Sequence, residues 1–201
     1  MFTLRTKRLL LRDLVPGDVP RLHPFFSDRR VTRYMDFVRT RKLRQTGAWV
    51  KRAIRHNRKW PRFAYSLAVV SKKDRSVVGW IGFGQTDKRK RHLGERDFGF
   101  AFLRDCWGKG YGTESLRAIT RFIFGTLKGK SFWGEHSLAN PASGRVMRKC
   151  GFRRMTPPVR GIRVRSAGYL LTRARAAGAG LAATRLAGRR RARASARPRG
   201  D

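Results

Sequence analysis

Residues 106–114 read Cys-Trp-Gly-Lys-Gly-Tyr-Gly-Thr-Glu, with glycines at 108, 110 and 112 ahead of an amphipathic run over 116–127. An alternating stretch over 97–103 precedes them, so the local order is strand, glycine-rich turn, helix. Such a turn can aim several backbone N–H groups at one anion, and the start of the helix adds the positive end of its dipole. Glycine also lets a bulky phosphate approach the backbone and permits positive φ. The same spacing would suit a plain connecting turn. It is not a Walker loop, which closes with Gly-Lys-Ser/Thr, nor the Gly-x-Gly-x-x-Gly dinucleotide fingerprint.

Acidic residues are scarce, 12 in the chain, yet Glu95, Asp97, Asp105, Glu114 and Glu135 fall close to this segment. Glu95 and Asp97 stand two apart on the predicted strand and so share a face. Either could serve as a general base or orient a water; ion pairing with the many arginines is the alternative. Glu114 in the first helical turn complements the helix dipole and reads as structural. Histidine is a residue type that can act as a base, but His136 reads first as a packed histidine. Tyr169 is a distant candidate for protonating a leaving group. A second cluster, Asn140-Pro141-Ala142-Ser143, opens a helix that closes at Cys150-Gly151-Phe152. Without further context Asn140 is a helix N-cap and Ser143 a first-turn polar residue.

The two clusters together resemble the GNAT N-acetyltransferase superfamily, in particular the branch of ribosomal-protein N-terminal acetyltransferases. Residues 107–114 match its Trp-Gly-x-Gly-Tyr-Ala/Gly-Thr-Glu pattern, with Trp107 where other branches carry Gln or Arg. Residues 140–152 match Asn-x-x-Ser followed by a Gly-Phe ending, and residues 6–12 match Thr-x-Arg-Leu-x-Leu-Arg. The resemblance implies acetyl-CoA as cosubstrate and no metal. It implies that the backbone of Gly108, Lys109, Gly110, Tyr111, Gly112 and Thr113 holds the pyrophosphate. Asn140 would hold the pantetheine arm, Ser143 would sit near the thioester sulfur, and a bulge near Leu103 would free N–H groups for the thioester. Asp97 falls where the branch carries a strand Glu. The reaction implied is acetyl transfer to a primary amine, with a protein N-terminal amine as the leading acceptor. The alternative is an RNA- or ribosome-binding protein that keeps the fold without turnover.

These residues need a frame. The pattern predicts strands over 9–14, 63–70, 77–84, 95–103, 132–138, 161–165 and 167–172, with 63–84 forming a hairpin. Helices are predicted after Asp18, over 41–58 (where Trp49 is a core anchor or lines the acceptor pocket), over 116–127 and over 142–149. Gly151 supplies the αL stop. The expected fold class is α/β: a single domain with a mixed, mostly antiparallel sheet splayed between the strands at 97–103 and 132–138 and flanked by helices. Residues 1–173 would form the domain. Residues 174–201 hold 10 Ala, 8 Arg and 4 Gly and read as a disordered basic tail.

Lys and Arg number 49 against the 12 acids, a net charge of +37. A field of that sign attracts polyanions and disfavours polycationic acceptors. RNA or ribosome contact through the tail, or through the charged loop at 85–94, follows as an expectation. Two cysteines make neither a disulfide framework nor a metal site, and Cys106 beside the turn reads as packing. No apolar run reaches the ~18 residues of a membrane helix, and charges interrupt the N-terminal apolar patch. A cytoplasmic protein is expected.

Overall fold

The computed structural model describes residues 1–35, 39–156 and 159–181. Eight strands form one sheet in the order β1-β2-β3-β4-β5-β6-β8-β7: β1 (Thr3–Arg5), β2 (Leu9–Asp13), β3 (Ala64–Ser71), β4 (Val77–Gln85), β5 (Arg96–Phe102), β6 (Ser131–Ser137), β7 (Arg153–Arg154) and β8 (Ser166–Thr172). All neighbours are antiparallel except β5 and β6, which run parallel. The helices are α1 (Val19–Ser27), α2 (Arg29–Thr32), α3 (Leu43–Asn57), α4 (Tyr111–Arg121), α5 (Pro141–Lys149) and α6 (Arg173–Gly178).

Strand alternation divides the core into two layers. In β3, Leu67 and Val69 pack in the cluster that contains Leu116 and Ile119 of α4 and Met147 of α5. Ala68 and Val70 pack in the cluster that contains Leu22, Phe25 and Phe26 of α1 and Val50 and Ala53 of α3. The sheet is thus covered on both faces, with the long β3–β5 meander at its centre.

Several elements differ from the sequence expectation, each for a local reason. Asp18 does precede α1, but its buried carboxylate makes no cap hydrogen bond. It accepts instead from both Nη atoms of Arg12 and from the Val15 N–H. Residues 161–165 are not a strand, because Gly161 (φ 86°) and Arg165 (φ 57°) both take left-handed conformations. The helix expected over 116–127 begins earlier, at Tyr111, and passes into a π-type turn over Phe122–Thr126.

The domain boundary expected after Arg173 falls too early. Residues 173–178 form α6, Ala176 is fully buried, and Leu181 is 5% exposed within the main core. Alanine-rich composition hid this, since Ala packs closely and leaves little hydrophobic pattern. The remainder of the expected tail, 182–201, lies outside the described residues. Leu181→Ala should therefore cost about 2–3 kcal/mol, read as a Tm lowered by several degrees in a thermal melt. An unchanged Tm would show that this segment does not contribute to the folded body.

Candidate active site

β5 and β6 pair only at Arg96↔Phe132 and Asp97↔Trp133, then part. On its other side β5 pairs with β4 without interruption from Arg96 to Phe102, so the expected bulge is absent. Leu103 donates its N–H to Val78 O at 3.0 Å and offers nothing to the cleft. Hydrogen bonding alternates in an antiparallel ladder, so it is the even-numbered residues of β5 that turn their backbone toward β6. Past Asp97 the strand β6 is no longer there to receive them. Phe100 and Phe102 thus present backbone N–H groups to the opening. That opening is a cleft of about 620 Å³, walled by β5, β6 and the starts of α4 and α5.

The glycine turn closes one end of the cleft. Gly108 (φ 74°) and Gly110 (φ 79°) are left-handed, a conformation that side chains with a Cβ rarely adopt. Glu114 N donates to Gly110 O, so the N–H groups of Tyr111, Gly112 and Thr113 precede the first intrahelical bond. Three aligned donors at the head of an eleven-residue helix can bind one phosphate group. The turn is pinned from outside by Arg8. Its Nε reaches Glu114 at 2.7 Å, its Nη1 reaches Lys109 O at 2.9 Å, and its guanidinium lies 4.9 Å from the Tyr111 ring centroid. Glu114 also accepts from Thr6 Oγ1 at 2.6 Å and from Arg8 N at 2.8 Å. Trp107 donates Nε1–H to Phe102 O at 2.8 Å, tying the turn to the end of β5.

On the α5 side, Asn140 Nδ2 donates to Ser143 Oγ at 3.1 Å rather than capping the helix. Ser143 keeps its own O–H to donate elsewhere, and both residues line the cleft. His136 also lines it; Nδ1–H donates to Ser137 O at 2.7 Å, and Nε2 is buried against Gly144 with no partner. The Tyr169 hydroxyl accepts from Arg148 Nη1 at 3.0 Å and is not part of the cleft lining.

The two candidate acids separate. Asp97 lines the cleft, and burial pushes its carboxyl up to about 6, against the opposing pull of nearby Lys90. Glu95 precedes the strand and is exposed; its carboxylate accepts from Lys130 N at 2.7 Å, so it stays outside the cleft. Glu135 lines the cleft but is held by Arg163 at 3.0 Å and Lys90 at 3.8 Å. Among the described residues, Asp97 is left as the cleft carboxylate without an ion-pair partner.

Residues 8–153 match the acetyltransferase (GNAT) domain family. The chain belongs to the GNAT acetyltransferase family. A Bacillus licheniformis protein named uncharacterized N-acetyltransferase p20 is 27% identical over 127 residues, 63% of this chain and 68% of its own. The solved structure of RimL, a ribosomal L7/L12 alpha-N-protein acetyltransferase in complex with coenzyme A, superposes with a TM-score of 0.70 at 16% identity, covering 85% of this chain and 98% of its own. Spermidine N-acetyltransferase from Vibrio cholerae, with CoA and spermine, gives 0.66 at 14% identity, covering 83% and 96%. This is an acetyl-CoA-dependent N-acetyltransferase.

Within this GNAT domain, sequence reasoning brought Asp97, Ser143, Asn140 and the glycines to one cleft. It missed Arg8, although residues 6–12 were singled out as a motif; Thr6 and Arg8 are the partners of Glu114, and Arg12 is the partner of Asp18. It placed the free backbone donors at a bulge rather than at the strand divergence, where nothing but pairing geometry reveals them. No group of three or more His, Cys, Asp or Glu able to hold a metal ion occurs among the described residues.

The Glu114 anchor has a pH signature. Burial pushes its carboxyl up, but hydrogen bonds from Thr6, Arg8 N–H and the Arg8 guanidinium outweigh this and hold it below the usual carboxylate value. Its stabilisation is therefore present above the unfolded pKa and lost as pH falls through the folded one. Glu114→Gln should cost about 1–2 kcal/mol at neutral pH, and the gap to the parent should close in acid when unfolding is followed across pH.

Proposed function

We propose that this enzyme acetylates the amino terminus of a polypeptide, using Asp97 as general base. The observation that carries this reading is the cleft itself: an anion-binding turn at one end, free backbone donors along one wall, and a single uncommitted carboxylate at the far end. Acetyl-CoA supplies an activated acyl group whose carbonyl is open to attack by a neutral amine. The N–H groups of residues 111–113, with the open turn at Gly108 and Gly110, receive the pyrophosphate. Asn140 borders the pantetheine path. Asp97 takes a proton from the incoming ammonium, directly or through water, leaving the nitrogen lone pair free to attack the carbonyl carbon. The N–H groups of Phe100 or Phe102 donate to the oxygen that gains charge. As the C–S bond breaks, the Ser143 hydroxyl donates a hydrogen bond to the departing thiolate, which takes up the proton that the nitrogen sheds as the amide forms.

Proton affinity supports this acceptor class. A polypeptide α-amino group has a pKa of about 8, a lysine-type amine about 10.4. A carboxylate at about 6 lies much nearer the first. The RimL likeness supports the same choice.

Two variants test this reading. Asp97→Asn should lower turnover by about 10²–10⁴ with acetyl-CoA affinity retained. The parent's kcat/KM should rise with pH through about 6, because the deprotonated carboxylate is the active form, and the variant should lose that limb. Because the folded value is raised, ionised Asp97 opposes folding at neutral pH, so Asp97→Asn should melt no lower than the parent. A turnover loss accompanied by a lower Tm would make Asp97 structural instead. Gly110→Val forces a Cβ into a left-handed position 3.3 Å from Arg8 Nη2, a strain of about 1–3 kcal/mol. Calorimetry should show acetyl-CoA affinity reduced by about tenfold or more; unchanged affinity would remove the turn from the site.

A further inference from the structure

Trp80, Asp97, Phe98 and Gly99 line the cleft and also a second cavity of about 350 Å³. It lies on the α3 face of the sheet, so Asp97 stands at the junction of two spaces. Gly82, Gly84 and Gly99 form its floor; Trp49, Arg52, Ala53 and His56 of α3 form its outer wall. Trp80 is held across the floor by its Nε1–H bond to Ser66 Oγ at 2.7 Å. A Cβ at Gly82 would sit 2.5 Å from the Trp80 ring, so glycine there is what lets the ring lie down. Trp49 meets Trp80 edge to face at 5.6 Å. Asn57 is already committed to Asp13 and Ser66.

The charges in this cavity are arranged with one sign at each end. Asp97 is its carboxylate, at the inner junction. Arg52 and His56 stand one helical turn apart, both exposed, on its outer wall. Among the described residues Arg52 has no ion-pair partner. A polyamine would need carboxylates for its second and third ammonium groups, and would meet the Arg52 guanidinium instead.

We infer that the second cavity holds the first residues of an acidic polypeptide amino terminus, with the amine at Asp97 and a side-chain carboxylate at Arg52 and His56. This rests on the amino-terminal reading above and narrows it to acceptors with Asp or Glu just after the first residue. The net charge of +37 favours encounter with such a chain over a basic one. The two tryptophans supply flat apolar surface for the peptide between its charged ends.

The test uses the full chain and three short peptides with the same first residue, followed by Glu/Asp, Gln/Asn or Lys. Thiol release gives kcat/KM, and calorimetry on the CoA-bound protein gives Kd without requiring turnover. The acidic peptide should exceed the lysine peptide by about tenfold in both, with the margin shrinking as salt is added. Arg52→Glu combined with His56→Glu should reverse the order while CoA affinity stays unchanged. An equal or better result for the lysine peptide or spermidine, or an order unaltered in the variant, overturns the inference. Equal reaction of all three peptides overturns it while leaving amino-terminal acetylation intact. Preferential binding of the acidic peptide without thiol release upholds the docking surface and overturns the transfer reading.

Discussion

The site depends on two neighbouring strands that stop pairing. A buried backbone N–H without a partner costs about 1–3 kcal/mol, so a sheet normally closes any gap between strands. Here β5 and β6 share two paired positions and then diverge. Aromatic packing keeps the arrangement fixed. Phe98 lies 4.7 Å from Phe132 and 5.4 Å from Phe152, ring centre to ring centre. Its ring occupies the space that a side chain at Gly134 would need, since a Cβ there would sit 2.7 Å from the Phe98 ring. The strands approach where glycine allows it and separate beyond. The unpaired donors are then available to a ligand that enters the gap.

The rest of the molecule holds the two ends of that gap. At the phosphate end, the N-terminal segment reaches across to the head of α4 through Thr6, Arg8 and Glu114. This bond set joins residues more than a hundred positions apart. It fixes the left-handed glycine turn, with Arg8 bonded to Lys109 O at 2.9 Å. At the other end, Glu135 is neutralised by Arg163 and Lys90, which leaves Asp97, the base we propose, as a cleft carboxylate with no ion-pair partner among the described residues. Burial raises Asp97 toward the range useful for a base. Its position on the α3 face of β5 gives it access to both the cleft and the second cavity.

Much of this was legible in the residues. The glycine spacing, the helix after it and the Asn140–Ser143 segment pointed to the fold and to residues that line one cleft, because turns and helix starts act through local geometry. The divergence of the strands was expected on resemblance, but its chemistry was not. Which N–H groups are free depends on register, and register is a property of strand pairs. That is why Leu103 was expected in place of Phe100 and Phe102. Glu95 and Asp97 looked equivalent until the strand was seen to begin at Arg96, which released Glu95 to the Lys130 N–H. Ala176 and Leu181 were hidden inside an Ala/Arg/Gly composition, where two buried residues leave no periodic trace.

Amide hydrogen exchange, resolved to single residues and measured with and without acetyl-CoA, tests the central claim most directly. The account predicts that the ligand slows exchange at Phe100 and Phe102 and at Tyr111, Gly112 and Thr113, while Leu103, already bonded to Val78, changes little. Protection elsewhere, with the amides of Phe100 and Phe102 unaffected, would contradict a site built on the separation of β5 from β6.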